Sequence, residues 1–289
     1  MTFNCLACNS NQVFYFEYRG YHYFKCISCG LVTTYPYPDA STIEAHYSRK
    51  FDNGNYSLLR TYSKEYMQVY NKFAEVIEQQ LEFSQKKIEG IKILDIGCFT
   101  GDFLENLSNR GADVYGVELQ DRAVNIANMK LPGRIYKADV MSNEFPAIEF
   151  DIVSLLGLIE HVLEPIKILE RTSELLKHDG LIIIQTPDSN SFIARVMRKY
   201  WPPYAPIEHI HLFSRQSLEM ILKQLGFKNI SIIPHFKKLP IEYVYNMLQH
   251  FGPEFYRLLK PLFSILPQSL SCRGITFYVG EIIVTAQKI

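Results

Sequence analysis

The sequence predicts an α/β fold, in which a doubly wound, mostly parallel sheet follows a small cysteine-bearing ribbon. Two observations support this prediction. Four of the six cysteines form two C-x2-C pairs near the N-terminus, and from about residue 90 short apolar strands alternate with amphipathic helices. Repeated β-α-β order implies parallel strands joined by right-handed crossovers. With 289 residues, 47% of them hydrophobic, the chain can bury one large core and carry an appendage.

The charge balance restricts the function classes. Thirty basic residues match thirty acidic ones, whereas a protein that mainly coats nucleic acid needs a basic surplus. The N-terminus lacks the pattern of a secretory signal, and no apolar run is long enough for a spanning helix. We therefore expect a cytoplasmic protein. In a reducing compartment, cysteines are metal ligands or core residues more often than disulfides.

Residues 1–35 are predicted to form a zinc ribbon. The ligands would be Cys5, Cys8, Cys26 and Cys29, because each C-x2-C pair aims two thiolates from one tight turn. The segment between the pairs is rich in aromatic and β-branched residues, which predicts a hairpin that turns at Arg19-Gly20. Four thiolates leave no open coordination position, so the Zn²⁺ would be structural. The alternative, four unrelated cysteines, requires the spacing to be accidental.

Residues 36–89 are predicted to form a helical linker or cap. Apolar residues recur at helical spacing over Glu65–Lys87, which indicates one long amphipathic helix. Seventeen of the 39 aromatic residues fall within residues 1–73. Two interpretations remain open for them: they line a substrate pocket, or they pack a small domain that has few aliphatic residues.

Residues 90–289 are predicted to form the core, with a helical insertion at about 241–270 that is broken near Pro253 and Pro261. Strands are expected at 91–96, 114–118, 134–137, 150–156, 181–186, 230–233 and 275–285, and helices at 102–110, 121–129, 165–178 and 216–225. The helix at 165–178 has proline at its start, basic residues in its last turn and Gly180 just beyond its end, which is typical of helix boundaries.

The turn from Leu94 to Gly101 is the candidate cofactor site. It joins a strand to a helix at the carboxyl edge of the sheet, where open α/β sheets bind ligands. Glu118 ends the next strand, where a carboxylate can accept both hydroxyls of a ribose. Asp95 would repel a pyrophosphate and suits a positively charged ligand such as S-adenosylmethionine. Phe99 also stands where a dinucleotide fingerprint needs its second glycine. The alternative is an ordinary glycine-containing turn.

These motifs resemble the class I S-adenosylmethionine-dependent methyltransferases over about residues 90–233. Asp95–Gly101 is similar to their first motif, Glu118 to the ribose-binding acid, and Ala138-Asp139-Val140 to the adenine-contacting segment. The resemblance implies a Rossmann-like methyltransferase sheet of seven strands, the last of them antiparallel. It also implies a cofactor site formed by Asp95, Gly97, Cys98, Gly101, Glu118, Leu119, Asp139, Val140 and Leu156. Phe99 replaces a glycine found in many members, which removes one point of close approach.

The four-cysteine ribbon joined to this core resembles a narrower group, the sugar methyltransferases that act on nucleotide-linked deoxysugars. This resemblance implies a small or carrier-linked substrate, in the first place a sugar. It also makes the Glu208-His209 pair, in the loop after the fifth strand, similar to a pair whose histidine is the presumed base. Glu208 would favour one tautomer of His209, and neutral imidazole can take a proton from the acceptor.

The alternative roles of these histidines remain open. His209 and His211 can instead hydrogen-bond the loop and the start of the next helix, and for His211 we favour that interpretation. His161, just past the fourth strand, is the third candidate for catalysis, and many class I enzymes carry a histidine there without using it as a base.

The sequence also leaves two rival functions open. An RNA methyltransferase could present RNA on the ribbon, but the ribbon lacks a basic cluster. The fourth strand also ends in Ser154-Leu155-Leu156-Gly157, unlike the Asn-Pro-Pro-Tyr used on exocyclic base amines. A non-catalytic zinc-ribbon interaction protein would have no need of the acids at 95, 118 and 139. The acceptor atom and the oligomeric state are not predicted.

Overall fold

The computed structural model describes residues 3–39, 41–43, 45–46, 63–142, 145, 148–242, 245–246, 253–267, 270 and 274–289. The strands are β1 Phe3–Asn4, β2 Asn11–Tyr18, β3 Tyr21–Cys26, β4 Val32–Tyr35, β5 Lys92–Ile96, β6 Asp113–Glu118, β7 Ile135–Lys137, β8 Phe150–Leu156, β9 Leu176–Pro187, β10 His211–Leu212, β11 Phe227–Pro240 and β12 Gly274–Lys288. The helices are α1 Ser63–Phe83, α2 Asp102–Ser108, α3 Asp121–Lys130, α4 Pro165–Leu175, α5 Phe192–Met197, α6 Arg215–Gln224 and α7 Pro253–Ser264.

The core sheet has seven strands in the order β11-β12-β9-β8-β5-β6-β7. The strands from β9 to β7 are parallel, whereas β12 lies antiparallel between β9 and β11. Central strand β5 reads as an apolar run because helices cover both of its faces, and Ile93 and Leu94 are fully buried. The predicted fold class, including the antiparallel last strand, is confirmed.

Each face of the sheet carries its own helical layer. Leu169 of α4 and Leu218 of α6 pack in one apolar cluster with Leu94. Phe73 of α1 and Leu104 of α2 pack in the other cluster, with Ile93 of the sheet. Helix α1, which the sequence places in a linker or cap, is thus one of the layers that cover the core sheet.

The N-terminal ribbon has a sheet of its own, in the order β1-β2-β3-β4-β10. Its last strand, β10, comes from the core: His211 pairs with Thr33 and Leu212 with Val32. Leu31, which is fully buried, belongs to the same apolar cluster as Phe213 and the inner face of α6. The ribbon and the core therefore share both a sheet and a hydrophobic cluster. The sequence prediction, which ends the ribbon at residue 35, does not include this connection.

Many of the N-terminal aromatic residues pack against each other. Tyr23 is fully buried, and its ring lies 4.7 Å from that of Phe16 and 5.2 Å from that of Tyr204. Trp201 closes the same cluster, with its ring 5.3 Å from Tyr204. Phe14, in contrast, is exposed. For Phe16 and Tyr23, therefore, the structure supports the interpretation that these aromatic residues pack a small domain.

Several element boundaries differ from the predicted ones, among them those of α4, β11 and α7. Helix α4 ends at Leu175, and β9 begins at Leu176, because Leu176 pairs with Phe150 of β8 and is fully buried. Strand β11 runs well beyond 230–233 because it forms a long hairpin with β12. Helix α7 continues through Pro261, where a break was expected; other parts of the insertion lie outside the described residues.

None of the helices in the described part of the chain is both long enough and apolar enough to cross a membrane.

Candidate active site

The turn between β5 and α2 has a backbone that only a few residue types adopt easily. Gly97 and Gly101 have φ angles of 75° and 71°, in the left-handed region. A Cβ at Gly97 would lie 3.1 Å from Leu158, and one at Gly101 would lie 3.1 Å from Ala127. The turn is therefore held closely between the loop after β8 and helix α3. Phe99 has φ 48° without being glycine, at a cost of about 1 kcal/mol.

Asp95, at the end of β5, is a buried acid below this turn. Its Oδ1 accepts a hydrogen bond of 2.6 Å from the hydroxyl of Ser154. Burial raises the pKa of Asp95 to about 7, and the nearby Glu118 adds to the rise. A positively charged ligand beside Asp95 would favour the ionised form. The two acids Asp95 and Glu118 thus suit a cationic ligand, which is the kind of ligand that the sequence predicts.

Glu118, at the end of β6, ties the turn to the neighbouring strand. One carboxylate oxygen accepts the backbone N–H of Phe99 at 3.0 Å. The other accepts the N–H groups of Leu119 and Gln120 at 2.8 and 2.9 Å. A carboxylate has about four acceptor sites, and three are used here, so one ribose hydroxyl can bind without displacing a protein donor and a second would share an oxygen with a backbone N–H.

Cys98 faces away from the ligand side of the turn. It is buried, and a Cβ on Gly116 would lie 2.6 Å from its Sγ. The side chain of Cys98 therefore fills a space that the missing side chain of Gly116 leaves in the core. Only its backbone belongs to the turn, where its N–H donates to the carbonyl of Val117 at 3.2 Å.

The remaining predicted cofactor residues lie at the same edge of the sheet. Asp139 accepts the N–H of Met141 at 2.9 Å, which shapes the loop after β7. Val140 is buried, Leu156 is partly buried and Leu119 is 66% exposed. Leu119 is thus open to a ligand that lies over the end of β6, whereas Val140 supports the loop from below.

Two loops bring the candidate catalytic histidines together. His161 Nδ1 lies 2.7 Å from the carbonyl oxygen of Glu208, and the N–H of Ile210 donates to the carbonyl of Glu160 at 2.7 Å. The rings of His161 and His209 lie 4.7 Å apart. The N–H of His161 also donates to the carbonyl of Leu158, the residue that contacts Gly97. The two histidines therefore lie next to the candidate cofactor turn.

Backbone carbonyls determine the tautomers of both histidines. His209 Nδ1 lies 2.6 Å from the carbonyl oxygen of Pro203, and a carbonyl can only accept. Both rings therefore carry their proton on Nδ1, and Nε2 is the basic nitrogen. The sequence predicts that Glu208 favours one tautomer of His209; in the structure Pro203 contacts the Nδ1 of His209, and the carboxylate of Glu208 lies 3.1 Å from His46 Nε2.

His211 is a structural residue. It is 1% exposed, and its Nε2 lies 3.3 Å from the carbonyl of Leu163. Burial lowers its pKa to about 4, which keeps it neutral at physiological pH. Tyr204 is buried as well, and burial raises the pKa of its hydroxyl. Neither group is placed to exchange a proton with a ligand.

Within the described residues, Glu160, His161 and His209 form one of two groups whose ligand atoms are close enough to hold a metal ion, with donor atoms within 4.8 Å of one another. Glu160 is buried and accepts a hydrogen bond of 3.0 Å from the hydroxyl of Thr186. Burial raises its pKa to about 8. This carboxyl group was not predicted from the sequence as a site residue.

The second group is the cysteine cluster Cys5, Cys8, Cys26 and Cys29, and its sulfurs also lie within 4.8 Å of one another. The Sγ atoms of two pairs, Cys5–Cys29 and Cys8–Cys26, are 3.4 Å apart. Four thiolates at about 2.3 Å from a tetrahedral zinc would be about 3.8 Å apart. The donor set and the spacing therefore fit Zn²⁺.

The two C-x2-C turns share one backbone pattern. Asn9 N–H donates to the carbonyl of Cys5, and Gly30 N–H to that of Cys26, at 2.8 and 3.0 Å. The residue that follows the second cysteine of each pair has a positive φ, which is 57° for Asn9 and 78° for Gly30. Asn9 and Gly30 each lie four residues after the first cysteine of their pair. This shared position is a sequence signal from which the left-handed backbone of Asn9 could have been predicted.

Residues 65–232, more than half of the chain, match the model of the methyltransferase domain family. The chain belongs to this family. Its methyltransferase domain thus contains the glycine turn, Glu118 and both histidines. The sequence prediction of a class I methyltransferase fold is confirmed at the level of the family and the sheet.

The relatives in sequence agree with this assignment. The chain is similar to ubiquinone biosynthesis O-methyltransferases: it is 30% identical to that of Leptothrix cholodnii over 127 residues, 40% of this chain and 54% of the relative. The match to the Pseudomonas aeruginosa protein is 30% over 110 residues, 36% of this chain and 47% of the relative. The chain thus spans about half the length of these curated relatives.

Among solved structures, magnesium protoporphyrin IX methyltransferase from Synechocystis with bound SAH has a TM-score of 0.54 and 14% identity, covering 85% of this chain and all of that one. The same protein with bound SAM gives 0.53. At this identity the similarity concerns the fold.

Proposed function

We propose that the protein transfers a methyl group from S-adenosylmethionine to a small or carrier-linked acceptor. The observation that supports this proposal is the closeness of Leu158 to Gly97, because the loop that carries Leu158 also carries His161, whose ring lies 4.7 Å from that of His209. When bound, S-adenosylmethionine supplies an electrophilic methyl group. The chain supplies the position of that group and a basic nitrogen.

Different candidate residues bind different parts of the cofactor. Glu118 accepts the ribose hydroxyls, and its three backbone donors hold its carboxylate in place. Asp95 provides negative charge near the charged end of the cofactor. Leu119, Asp139 and Leu156 line the adenine side, Val140 supports the loop that carries Asp139, and Gly97 and Gly101 permit close approach of the backbone.

His209 is the proposed general base. Its Nδ1 proton is engaged with Pro203, so that Nε2 can take the acceptor's proton as the methyl group arrives. His161 has the same tautomer and lies next to it, which makes it the alternative base. Glu208 acts through its backbone carbonyl, which orients His161, and through its carboxylate, which holds the loop to His46.

Two classes of acceptor are supported, each by its own observation. The ribbon and the Glu208-His209 pair resemble sugar methyltransferases, which favours a nucleotide-linked sugar. The names of the relatives favour a hydroxylated aromatic compound, and those matches span at most 42% of this chain. Both acceptors are small molecules with an ionisable hydroxyl group or carbon acid, which is what the pair of basic nitrogens requires.

Structural zinc in the ribbon is part of the proposal. Cys5, Cys26 and Cys29 are almost fully buried, and a closed set of four thiolates fits an ion that stabilises the ribbon.

The test is a methyl-transfer assay that follows S-adenosylhomocysteine release with two panels, nucleotide-linked deoxysugars and hydroxylated aromatics. His209→Gln should lower turnover by about a hundredfold, the scale of a general base, at unchanged cofactor affinity. His178→Gln is the matched control, because His178 is exposed at the opposite end of β9. Wild-type turnover in His209→Gln on the identified substrate would remove His209 as the base.

The same assay distinguishes a base from a metal site. Glu160, His161 and His209 have a donor set that would suit a divalent cation. Proton transfer by His209 predicts full activity after extensive dialysis and no stimulation by Mn²⁺ or Mg²⁺. Activity that requires one of these ions would assign the three residues to metal binding and would contradict the base.

A further inference from the structure

The strand that follows the second cysteine pair is bonded directly to the loop that carries His209. The N–H of Thr34 in β4 donates to the carbonyl of Ile210 at 2.9 Å. Its hydroxyl donates to the carbonyl of His209 at 3.1 Å. One residue of the ribbon thus holds the backbone on both sides of the bond between His209 and Ile210.

The donor end of these two hydrogen bonds is buried, because Thr34 is only 1% exposed, whereas His209 at the acceptor end is partly buried. A donor removed at a buried site leaves its acceptor unsatisfied, and such a loss is larger than at the surface. The carbonyl of His209 therefore loses a buried donor when the hydroxyl of Thr34 is removed.

Strand β4 is itself fixed at the end near the cysteines. The carbonyl of Cys29 accepts a hydrogen bond from the hydroxyl of Ser214, and the carbonyl of Gly30 accepts one from Ser189 at 2.9 Å. A Cβ on Gly30 would lie 2.2 Å from Nδ2 of Asn190, so the chain passes the core there without room for a side chain. The turn that carries Cys29 therefore determines where β4 begins.

His209 is held at three points of its backbone and ring. Its N–H donates to the carbonyl of Ala205 at 2.8 Å, its Nδ1 to Pro203 at 2.6 Å, and its carbonyl accepts from Thr34. The first two partners belong to the same loop as His209. Of the three contacts, the one with Thr34 joins His209 to a different element, and the neighbouring residues Glu208 and Ile210 bond the loop to His161 and Glu160.

We propose that Thr34 is a positioning residue for His209, through which the four-cysteine ribbon takes part in the proposed methyl transfer. The inference rests on the proposed role of His209 as a base. The ribbon acts through β4: filling of the cysteine site orders the turn at Cys29, β4 continues from that turn, and Thr34 fixes the carbonyl of His209. Thr34 itself does not touch the acceptor.

The test uses the full chain with zinc bound and needs no substrate. ¹⁵N-histidine NMR at about pH 8, where imidazole is neutral, reports the tautomer of each ring, and His209→Gln identifies the signal of His209. In the wild type this signal should show a single Nδ1–H tautomer. Thr34→Val removes only the hydroxyl donor and should broaden the signal or mix the tautomers, whereas Thr34→Ser should restore it.

The matched control is Thr172→Val. Thr172 is a buried threonine whose hydroxyl also donates to a backbone carbonyl, that of Ile168, within α4. This variant should leave the signal of His209 unchanged. Zinc content of each variant shows whether the ribbon remains folded; if Thr34→Val loses zinc, Thr34→Ala provides the same comparison with a smaller side chain.

A signal of His209 that is identical in wild type, Thr34→Val and Thr34→Ala would overturn the inference, whatever His209 does in catalysis. With a substrate in hand, turnover of Thr34→Val should fall about fivefold, the effect of one lost hydrogen bond, at unchanged cofactor affinity. A changed signal together with a fully active His209→Gln would instead contradict the base, and with it the catalytic part of the proposal, while the contact itself would stand.

Discussion

Replacement of Glu118 by alanine is the sharpest test of the candidate cofactor site. The carboxylate holds three backbone N–H groups, those of Phe99, Leu119 and Gln120, at 2.8–3.0 Å. In the proposed complex it also accepts the two ribose hydroxyls. The substitution therefore removes both the ligand's acceptor and the link that joins the glycine turn to β6.

The expected loss follows from these contacts. A hydrogen bond to a charged acceptor contributes about 1.5–3 kcal/mol, and water recovers part of this in the vacated space. At least one full bond should be lost, which corresponds to a weakening of tenfold or more in cofactor affinity. The three backbone N–H groups also lose their acceptor, so the apo protein should lose about 1 kcal/mol or more of stability as well.

Calorimetric titration with S-adenosylhomocysteine measures the affinity, and thermal unfolding of the apo protein measures the stability. Asp121→Asn is the control: it removes one acid at the start of α3, three residues away, whose side chain is 69% exposed and pairs with Lys137. It should bind like the wild type. Wild-type affinity in Glu118→Ala would refute the ribose role, and weakening of equal size in both variants would assign the effect to net charge alone.

Two further predictions concern the ribbon and the buried histidine. Elemental analysis of protein purified without chelator should find one zinc per chain in the wild type and none in Cys26→Ser, whose core should still bind the cofactor; a chain without zinc would contradict the metal site. Because the folded pKa of His211 is about 4, below the usual value near 6.5, protons bind the unfolded chain better, so stability is complete above about pH 7 and falls as the pH drops toward 4. Between pH 7 and 5 the histidine should cost the wild type about 2 kcal/mol of unfolding free energy, and denaturant unfolding of His211→Gln should lack this loss; equal pH dependence in both proteins would contradict it.

The core strands could be predicted because their signal is local. Buried parallel strands read as short apolar runs, and the observed β5 and β8 lie close to the predicted ranges. The start of β9 was missed because Lys177-His178 followed by glycine is typical of a helix end. The start of β9 is instead determined by pairing with a distant segment: Leu176 pairs with Phe150, and Lys177 forms an ion pair of 2.9 Å with Asp151.

The candidate site was predictable to a similar extent. The glycine turn, Glu118 and the cysteine pairs are patterns of adjacent or regularly spaced residues, and the structure brings each pattern to one place. Pro203 and Thr34 could not be found in this way. Each acts through a backbone contact with His209, and for Thr34 the partner is 175 residues away in sequence. A carbonyl acceptor has no side-chain signal, and the pairing of β4 with β10 depends on how the ribbon docks.

The central claim is that the glycine turn and the two histidine-bearing loops form one site around a methyl donor. A crystal structure of the protein with bound S-adenosylhomocysteine tests it most directly. In that structure we expect the ribose on Glu118, the sulfur above Gly97, and Nε2 of His209 or His161 facing the sulfur across a space wide enough for an acceptor. Absence of the ligand from this turn, or both imidazoles directed away from the sulfur, would contradict a shared site.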